Sequence, residues 1–148
     1  MKIRLAVVLM LAMIPLSILA ATQAANVSGS WKVDTTAAAG EADGSTWSLG
    51  ALSGTLTLEQ KDDAVTGSWK GRQPEPWVLT GRVTGMDFEF QTEARDIPAI
   101  RNGEQTTVPR RWIFRGTVDG DKLTGSMSLA GGDGDPPTQP FSAARQRQ

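Results

Sequence analysis

The chain has 148 residues, with 15 Lys and Arg, 16 Asp and Glu, and neither His nor Cys. Without His and Cys, the usual general bases, thiol nucleophiles and transition-metal ligands are missing, and disulfides cannot form. The weakly acidic balance argues against nucleic acid as a partner. We therefore predict a protein that is not an enzyme and that holds neither a metal nor a cofactor.

The chain begins with a segment typical of secretory signal peptides. Lys2 and Arg4 form a short basic start, a long apolar run follows, and small residues ending at Ala24 offer a cleavage site. We predict a signal peptide over residues 1–24 and a single barrel domain over residues 25–148. A membrane anchor is the alternative, which a proline inside the apolar run disfavours. The mature protein is predicted to lie in the periplasm or outside a bacterial cell, with no stable membrane span, and the absence of Cys excludes a lipoprotein.

Eight segments downstream alternate apolar and polar residues, which is the pattern of strands with one buried face. They are short, and most are joined by hairpin-length links, which favours an antiparallel up-and-down meander. Closure into a barrel would bury the apolar face and remove the free edges. We predict an all-β, eight-stranded barrel, with a β-sandwich as the alternative. The predicted strands are 27–34, 52–60, 64–70, 77–84, 87–91, 110–118, 122–129 and 141–145.

A five-residue pattern recurs within these strands: an aliphatic residue, a small hydroxyl residue, glycine, any residue, and a large apolar residue. The glycine shares the parity of the apolar residues, so we expect it on the buried face. Glycine there allows sharp coiling and close approach of neighbouring strands. The copies begin at Val27, Leu52, Val65, Leu79 and Leu123, with a weaker copy at Phe114.

The links between the predicted strands differ in length at the two ends of the barrel. Three links at one end are tight turns, whereas the other end carries the long connections Thr35–Ala51 and Thr92–Pro109. The second connection contains an apolar segment, 97–100, that could lie across the barrel rim. Because binding usually sits on loops held by a rigid scaffold, we place a candidate site at the loop-rich end.

Aromatic side chains cluster near that end and are predicted to point inward. They form either a pocket for an apolar or ring-shaped ligand, or the filling of a narrow barrel. Arg110 or Arg111, at the start of its strand, is a candidate to meet an acidic group on a ligand, and a charged solvent face is the alternative. The Gly131–Asp135 stretch could supply oxygen ligands to Ca²⁺ but fits an ordinary turn better. The aromatic candidates for ligand binding are Trp69, Trp77, Phe90, Trp112 and Phe141.

Gly29, Ser30 and Trp31 on the first strand resemble the Gly-x-Trp motif of lipocalins and the wider calycin group, which includes avidins and fatty-acid-binding proteins. The resemblance implies that Trp31 closes the barrel by packing against a cation near the end of the last strand. Arg145 has the place and parity for this role, through a cation–π contact. The chain departs from the group in lacking Cys, Tyr and a helix before the last strand. It also resembles small exported bacterial barrel proteins of unknown function that repeat Leu-Thr-Gly.

These features support two functional hypotheses. The first is an exported, lipocalin-like binding module for a small, largely apolar ligand at the loop-rich barrel mouth. The second is a solid-core protein-interaction module of the envelope or the secreted fraction, such as a protease inhibitor, which uses Thr35–Ala51 and Thr92–Pro109. An enzyme of the cyclase kind, which some calycin-like barrels are, is a distant third.

Overall fold

The computed structural model describes residues 23–42, 44–132 and 136–147. The predicted signal peptide over residues 1–24 therefore lies almost wholly outside the described residues. Among the described residues, no helix is long and apolar enough to cross a membrane. The strands are β1 (Gly29–Thr35), β2 (Ala38–Ala42), β3 (Ser45–Leu49), β4 (Ser53–Lys61), β5 (Ala64–Lys70), β6 (Trp77–Thr84), β7 (Asp87–Thr92), β8 (Arg95–Arg101), β9 (Glu104–Asp119), β10 (Lys122–Ala130) and β11 (Thr138–Arg145).

Eight of these strands close into a barrel. They pair antiparallel in the order β1, β4, β5, β6, β7, β9, β10 and β11, and β11 returns to β1. Pairing of β9 with β10 joins what would otherwise be two free edges. The predicted eight-stranded up-and-down barrel is confirmed, and the sandwich is not formed.

Alternation of burial follows the sequence pattern within the barrel strands. On β6, Trp77, Leu79 and Val83 are buried, whereas Val78 between them is 57% exposed. The bounds of β5 and β6 match the predicted strands, because an uninterrupted period of two residues leaves little freedom in where a half-buried strand lies.

The repeated glycines lie where a side chain would collide with a neighbouring strand or ring. Gly116 and Gly125 are directly opposite each other on β9 and β10. A Cβ on Gly125 would meet the Arg115 carbonyl oxygen, and a Cβ on Gly81 would lie 2.6 Å from the Phe90 ring. The five-residue pattern thus supplies a large apolar residue for the core and a glycine that leaves space for its neighbours.

The two long connections were wrongly expected to be loops. Thr35–Ala51 contains the hairpin of β2 and β3, and Thr92–Pro109 contains β8 and the first part of β9. β8 pairs with residues 104–110 of β9, so that this second hairpin extends beyond the barrel wall. Within the predicted rim segment 97–100, Ile97 packs against the core, whereas Ile100 is 75% exposed.

A bulge explains why the sequence pattern does not predict β8 as the continuation of β7. Gln91 pairs with Ile113, and the next recorded pair is Arg95 with Arg110, so three residues oppose two. The Thr92 hydroxyl accepts a hydrogen bond from the Trp112 backbone N–H at 2.9 Å, which satisfies a donor at the interruption. Because the extra residue reverses the inward parity, the alternating pattern of β7 stops at this point.

Candidate functional site

Aromatic rings fill the middle of the barrel. Trp69 and Phe114 meet edge to face at 5.4 Å between ring centroids, and Phe114 and Phe141 do so at 5.6 Å. Phe90, the cross-strand partner of Phe114, is fully buried. Of the predicted ligand-binding residues, Trp69, Phe90 and Phe141 therefore lie in the packed core.

Trp31 and Arg145 lie at the end that carries the tight turns. They are cross-strand partners on β1 and β11, and the guanidinium carbon lies 4.2 Å from the Trp31 ring centroid. The same guanidinium donates to the backbone carbonyl of Ser28 and, at 2.8 Å, to that of Asn26. Its Nε donates to Asp121 at 2.8 Å. Arg145 thereby attaches the segment before β1 to the end of the barrel, which is a structural arrangement.

The opposite end carries the remaining predicted residues. Trp77, on β6, belongs to the buried core and is 6% exposed, and the guanidinium carbon of Arg95 lies 4.8 Å from its ring centroid. Arg95 also donates to the Pro76 carbonyl at 2.7 Å and forms an ion pair with Glu93 at 2.6 Å. This side of the rim is closed by interactions within the protein.

The other side of the rim is built by β9, β10 and β11, and we call it the open-rim site. Trp112, which is partly buried, is the cross-strand partner of Leu129 on β10. Gln139, on β11, pairs with Met127, two residues before Leu129. Inward parity on β9 also includes Arg110. The open-rim site is defined by Arg110, Trp112, Leu129 and Gln139.

Gln139 is the residue of this site that the sequence did not reveal. Its side chain is 0% exposed, and among the described residues neither its amide nitrogen nor its amide oxygen has a hydrogen-bond partner. The sequence pattern predicts a last strand that begins at Phe141, and hence a loop position for Gln139. It shares odd parity with Phe141 and Ala143, and extending that alternation one step back would have predicted an inward side chain.

Arg110 lies at the root of the β8–β9 hairpin and is partly buried. Its guanidinium lies against the backbone of Gly132, where an added Cβ would be 2.8 Å from two of its nitrogens. Within the part of the chain that the structure describes, no hydrogen bond or ion pair engages this guanidinium. Its cross-strand partner is Arg95, whose charge is balanced by Glu93.

The β2–β3 hairpin lies beside this site. β2 contacts β11, and the backbone N–H of Thr36, just before the hairpin, donates to the Pro140 carbonyl at 3.2 Å. The ring of Trp47 packs over Gly40 across the hairpin, where a Cβ would be only 2.7 Å from the ring. The contact between Trp47 and Gly40 stabilises the β2–β3 hairpin, which lies against the strand that carries Gln139.

Acidic groups do not form a metal centre in the described residues. No three Asp or Glu side chains there are close enough to hold a metal ion. Glu89 is 2.8 Å from Arg115 on the outer wall, and the hydrogen bond from Arg115 lowers the pKa of Glu89. Asp133 and Asp135, considered above as Ca²⁺ ligands, lie outside the described residues.

Comparison with known proteins yields structural similarity only. No family model matches the chain, and no curated protein matches it. A crystal structure titled as a rhizavidin–biotin complex is similar with a TM-score of 0.47 and 19% identity, over 83% of this chain and 96% of that chain. A crystal structure of rhizavidin is similar with a TM-score of 0.42 and 18% identity, over 80% and 84% of the two chains.

The fold itself can be stated from the topology. Eight antiparallel strands follow one another around a closed barrel, and both residues of the Trp31–Arg145 pair stand where the calycin resemblance implied. The chain is a closed, eight-stranded, antiparallel up-and-down β-barrel.

Proposed function

We propose that the protein is a binding module for a small, largely apolar ligand, which binds at the open-rim site. The observation that carries the proposal is the unpaired amide of Gln139, fully buried in the barrel wall next to the rim. Buried polar groups in native proteins are nearly always hydrogen-bonded, and an exception calls for a partner that is absent. A ligand with a polar atom would supply that partner.

The surroundings of Gln139 favour a mostly apolar ligand. Leu129 and the partly buried ring of Trp112 form the adjoining wall. The aromatic rings packed in the middle of the barrel occupy the space below, so the ligand would bind at the rim. Small-molecule sites commonly combine apolar walls with a few polar groups that set orientation. The β2–β3 hairpin would lift to admit the ligand and then close over it.

A titration with N-phenyl-1-naphthylamine, a neutral apolar probe with one N–H group, tests the proposal. We expect saturable binding of the probe with energy transfer from tryptophan. The affinity should fall tenfold or more in Trp112→Leu. It should fall about fivefold in Gln139→Met, which corresponds to the loss of one neutral hydrogen bond. Trp77→Leu is the matched control, because it removes a rim tryptophan two strands from β9. No saturable binding, or equal losses in the two tryptophan variants, would refute the site.

Biotin is the second compound to titrate, because one of the similar structures is titled as its complex. Competition between biotin and the probe would identify a ligand class directly. The proposal concerns binding without catalysis, and it requires no cofactor.

We also propose that the protein acts outside the cytoplasm. The leader pattern supports export, and the backbone N–H of Ala25, the residue after the predicted cleavage site, donates to the Gly85 carbonyl at 2.8 Å. The chain is therefore attached to the barrel from the first residue of the expected mature protein. N-terminal sequencing of the exported protein should begin at Ala25, and an intact Met1 would refute this part of the proposal.

The protein-interaction hypothesis remains a second candidate, favoured by the β8–β9 hairpin. This hairpin extends beyond the barrel and leaves Ile100 75% exposed, where a partner could contact it. Capture of a partner by the wild type but not by Ile100→Ser, with the Val78→Ser variant as control, would support it.

A further inference from the structure

We infer that the ligand of the open-rim site carries an acidic group, which binds the guanidinium of Arg110. This inference rests on the proposed function, because it names the ligand class for the same site. The observations that carry it are the position of Arg110 on β9, its lack of a partner among the described residues, and the charge of Arg95 opposite it.

The first step is the local charge balance. Arg95 and Arg110 are direct cross-strand partners, and like charges in that position destabilise a sheet. Glu93 forms an ion pair with Arg95 at 2.6 Å and so balances one of the two charges. Among the residues that the structure describes, no ion pair balances the charge of Arg110, and an anion bound there would do so.

The second step is the direction of the side chain. On β9, Arg110 shares the inward parity of Trp112 and of the buried Val108 and Phe114. Arg111, with the opposite parity, is exposed on the outer wall and lies 3.5 Å from the Gln91 amide oxygen. The two adjacent arginines thus differ in a decisive way, since only Arg110 faces the site that we propose.

The third step is the strength of the interaction. Arg110 is partly buried, so its charge is less screened by water than that of Arg111. A guanidinium presents two parallel N–H groups that match a carboxylate or a sulfonate. Such a charge-assisted pair contributes more than a neutral hydrogen bond and would fix the acidic end of the ligand at the hairpin.

The register of the strands sets the ligand's length. Phe114, four residues along β9 from Arg110, stands in the cross-strand row that continues through Met127 to Gln139. Four residues along a strand and two strands across correspond to roughly 16 Å between the Cα atoms of Arg110 and Gln139. Their side chains shorten this gap to about 10 Å, so a small probe whose polar groups are adjacent engages one of the two residues at a time, and a longer ligand is needed to reach both.

Two probes that differ in one group test the inference. 1-Anilinonaphthalene-8-sulfonate has the skeleton of N-phenyl-1-naphthylamine with an added sulfonate. We expect the wild type to bind the sulfonate at least tenfold more tightly than the neutral probe. Arg110→Gln should abolish this preference, whereas Arg111→Gln, the matched control on the outer wall, should retain it.

The outcomes separate the inference from the proposed function. If the two probes bind equally well, or if Arg111→Gln lowers the preference as much as Arg110→Gln, the acidic group is refuted while the binding site stands. If neither probe binds, both are refuted. An unchanged preference in Arg110→Gln, together with a lower melting temperature, would mean that Arg110 pairs with a carboxylate of the chain itself, and this would also overturn the inference.

Discussion

Replacement of Gln139 by methionine should make the ligand-free protein more stable. The amide is 0% exposed and both of its polar atoms are unpaired, so the folded state bears the cost of removing them from water. That cost is about 1–3 kcal/mol for an unsatisfied buried group. Methionine has a similar length and no branching, and it replaces the amide with apolar atoms. We therefore expect the free energy of unfolding to rise by about 1–3 kcal/mol.

Gln60→Met is the matched control, with the opposite expected sign. The Gln60 amide oxygen accepts from the backbone N–H of the fully buried Val27 at 2.8 Å, and its amide nitrogen donates to the Asp62 carbonyl at 2.7 Å. Removing this amide leaves the Val27 N–H without a partner, at a cost of about 1–3 kcal/mol. The same chemical change should thus stabilise the protein at one position and destabilise it at the other.

Urea denaturation followed by tryptophan fluorescence measures both changes, and thermal unfolding gives a second measure. The expected shifts are about 4–12 °C upward for Gln139→Met and downward for Gln60→Met. If both variants lose stability equally, the Gln139 amide is satisfied in solution, for example by an ordered water molecule. In that case it would give no support to the proposed site.

Three further predictions concern the closed end, the barrel wall and pH. Arg145→Met removes the cation–π contact with Trp31 and two hydrogen bonds to backbone carbonyls. It should lower the free energy of unfolding, measured by urea denaturation, by about 3 kcal/mol. A loss below about 0.5 kcal/mol would contradict the structural role of Arg145. Gly125→Ala should cost about 3 kcal/mol or more, because its Cβ meets the facing strand, whereas Gly50→Ala, with open space around it, should change stability by less than about 0.5 kcal/mol. Because the pKa of Glu89 is lowered in the folded state, its ion pair stabilises the fold above the unfolded-state pKa and loses this effect as the pH falls through the folded-state pKa. The Glu89→Gln variant should therefore lose less stability than the wild type between pH 5 and pH 3. Equal losses in the two proteins would contradict this assignment.

Local alternation allowed the barrel to be predicted in some detail. A period of two residues, interrupted by tight turns, placed β5 and β6 within their observed bounds and directed Trp69 and Trp77 inward. The position of Arg145 near the end of the last strand, with the parity of the core, was enough to propose its contact with Trp31. These features depend on neighbours in the chain or on the register of adjacent strands, and both leave a pattern in the sequence.

The open-rim site depends on interactions that leave no such pattern. The bulge between β7 and β8 shifts parity by one residue, so the alternating signal ends where the hairpin begins. Whether the inward rings enclose a pocket or fill the barrel is decided by how they pack across it, as Trp69 and Phe114 do.

The sequence by itself thus determined the strand pattern, the closed barrel and the inward set of aromatic residues. Only the tertiary structure decided that the rings pack into a core, that hairpins cover the rim, and that Gln139 is buried without a partner. The physical reason is that strand alternation is a local property of the chain. Hydrogen-bond satisfaction of a buried amide, in contrast, depends on every residue that surrounds it in space.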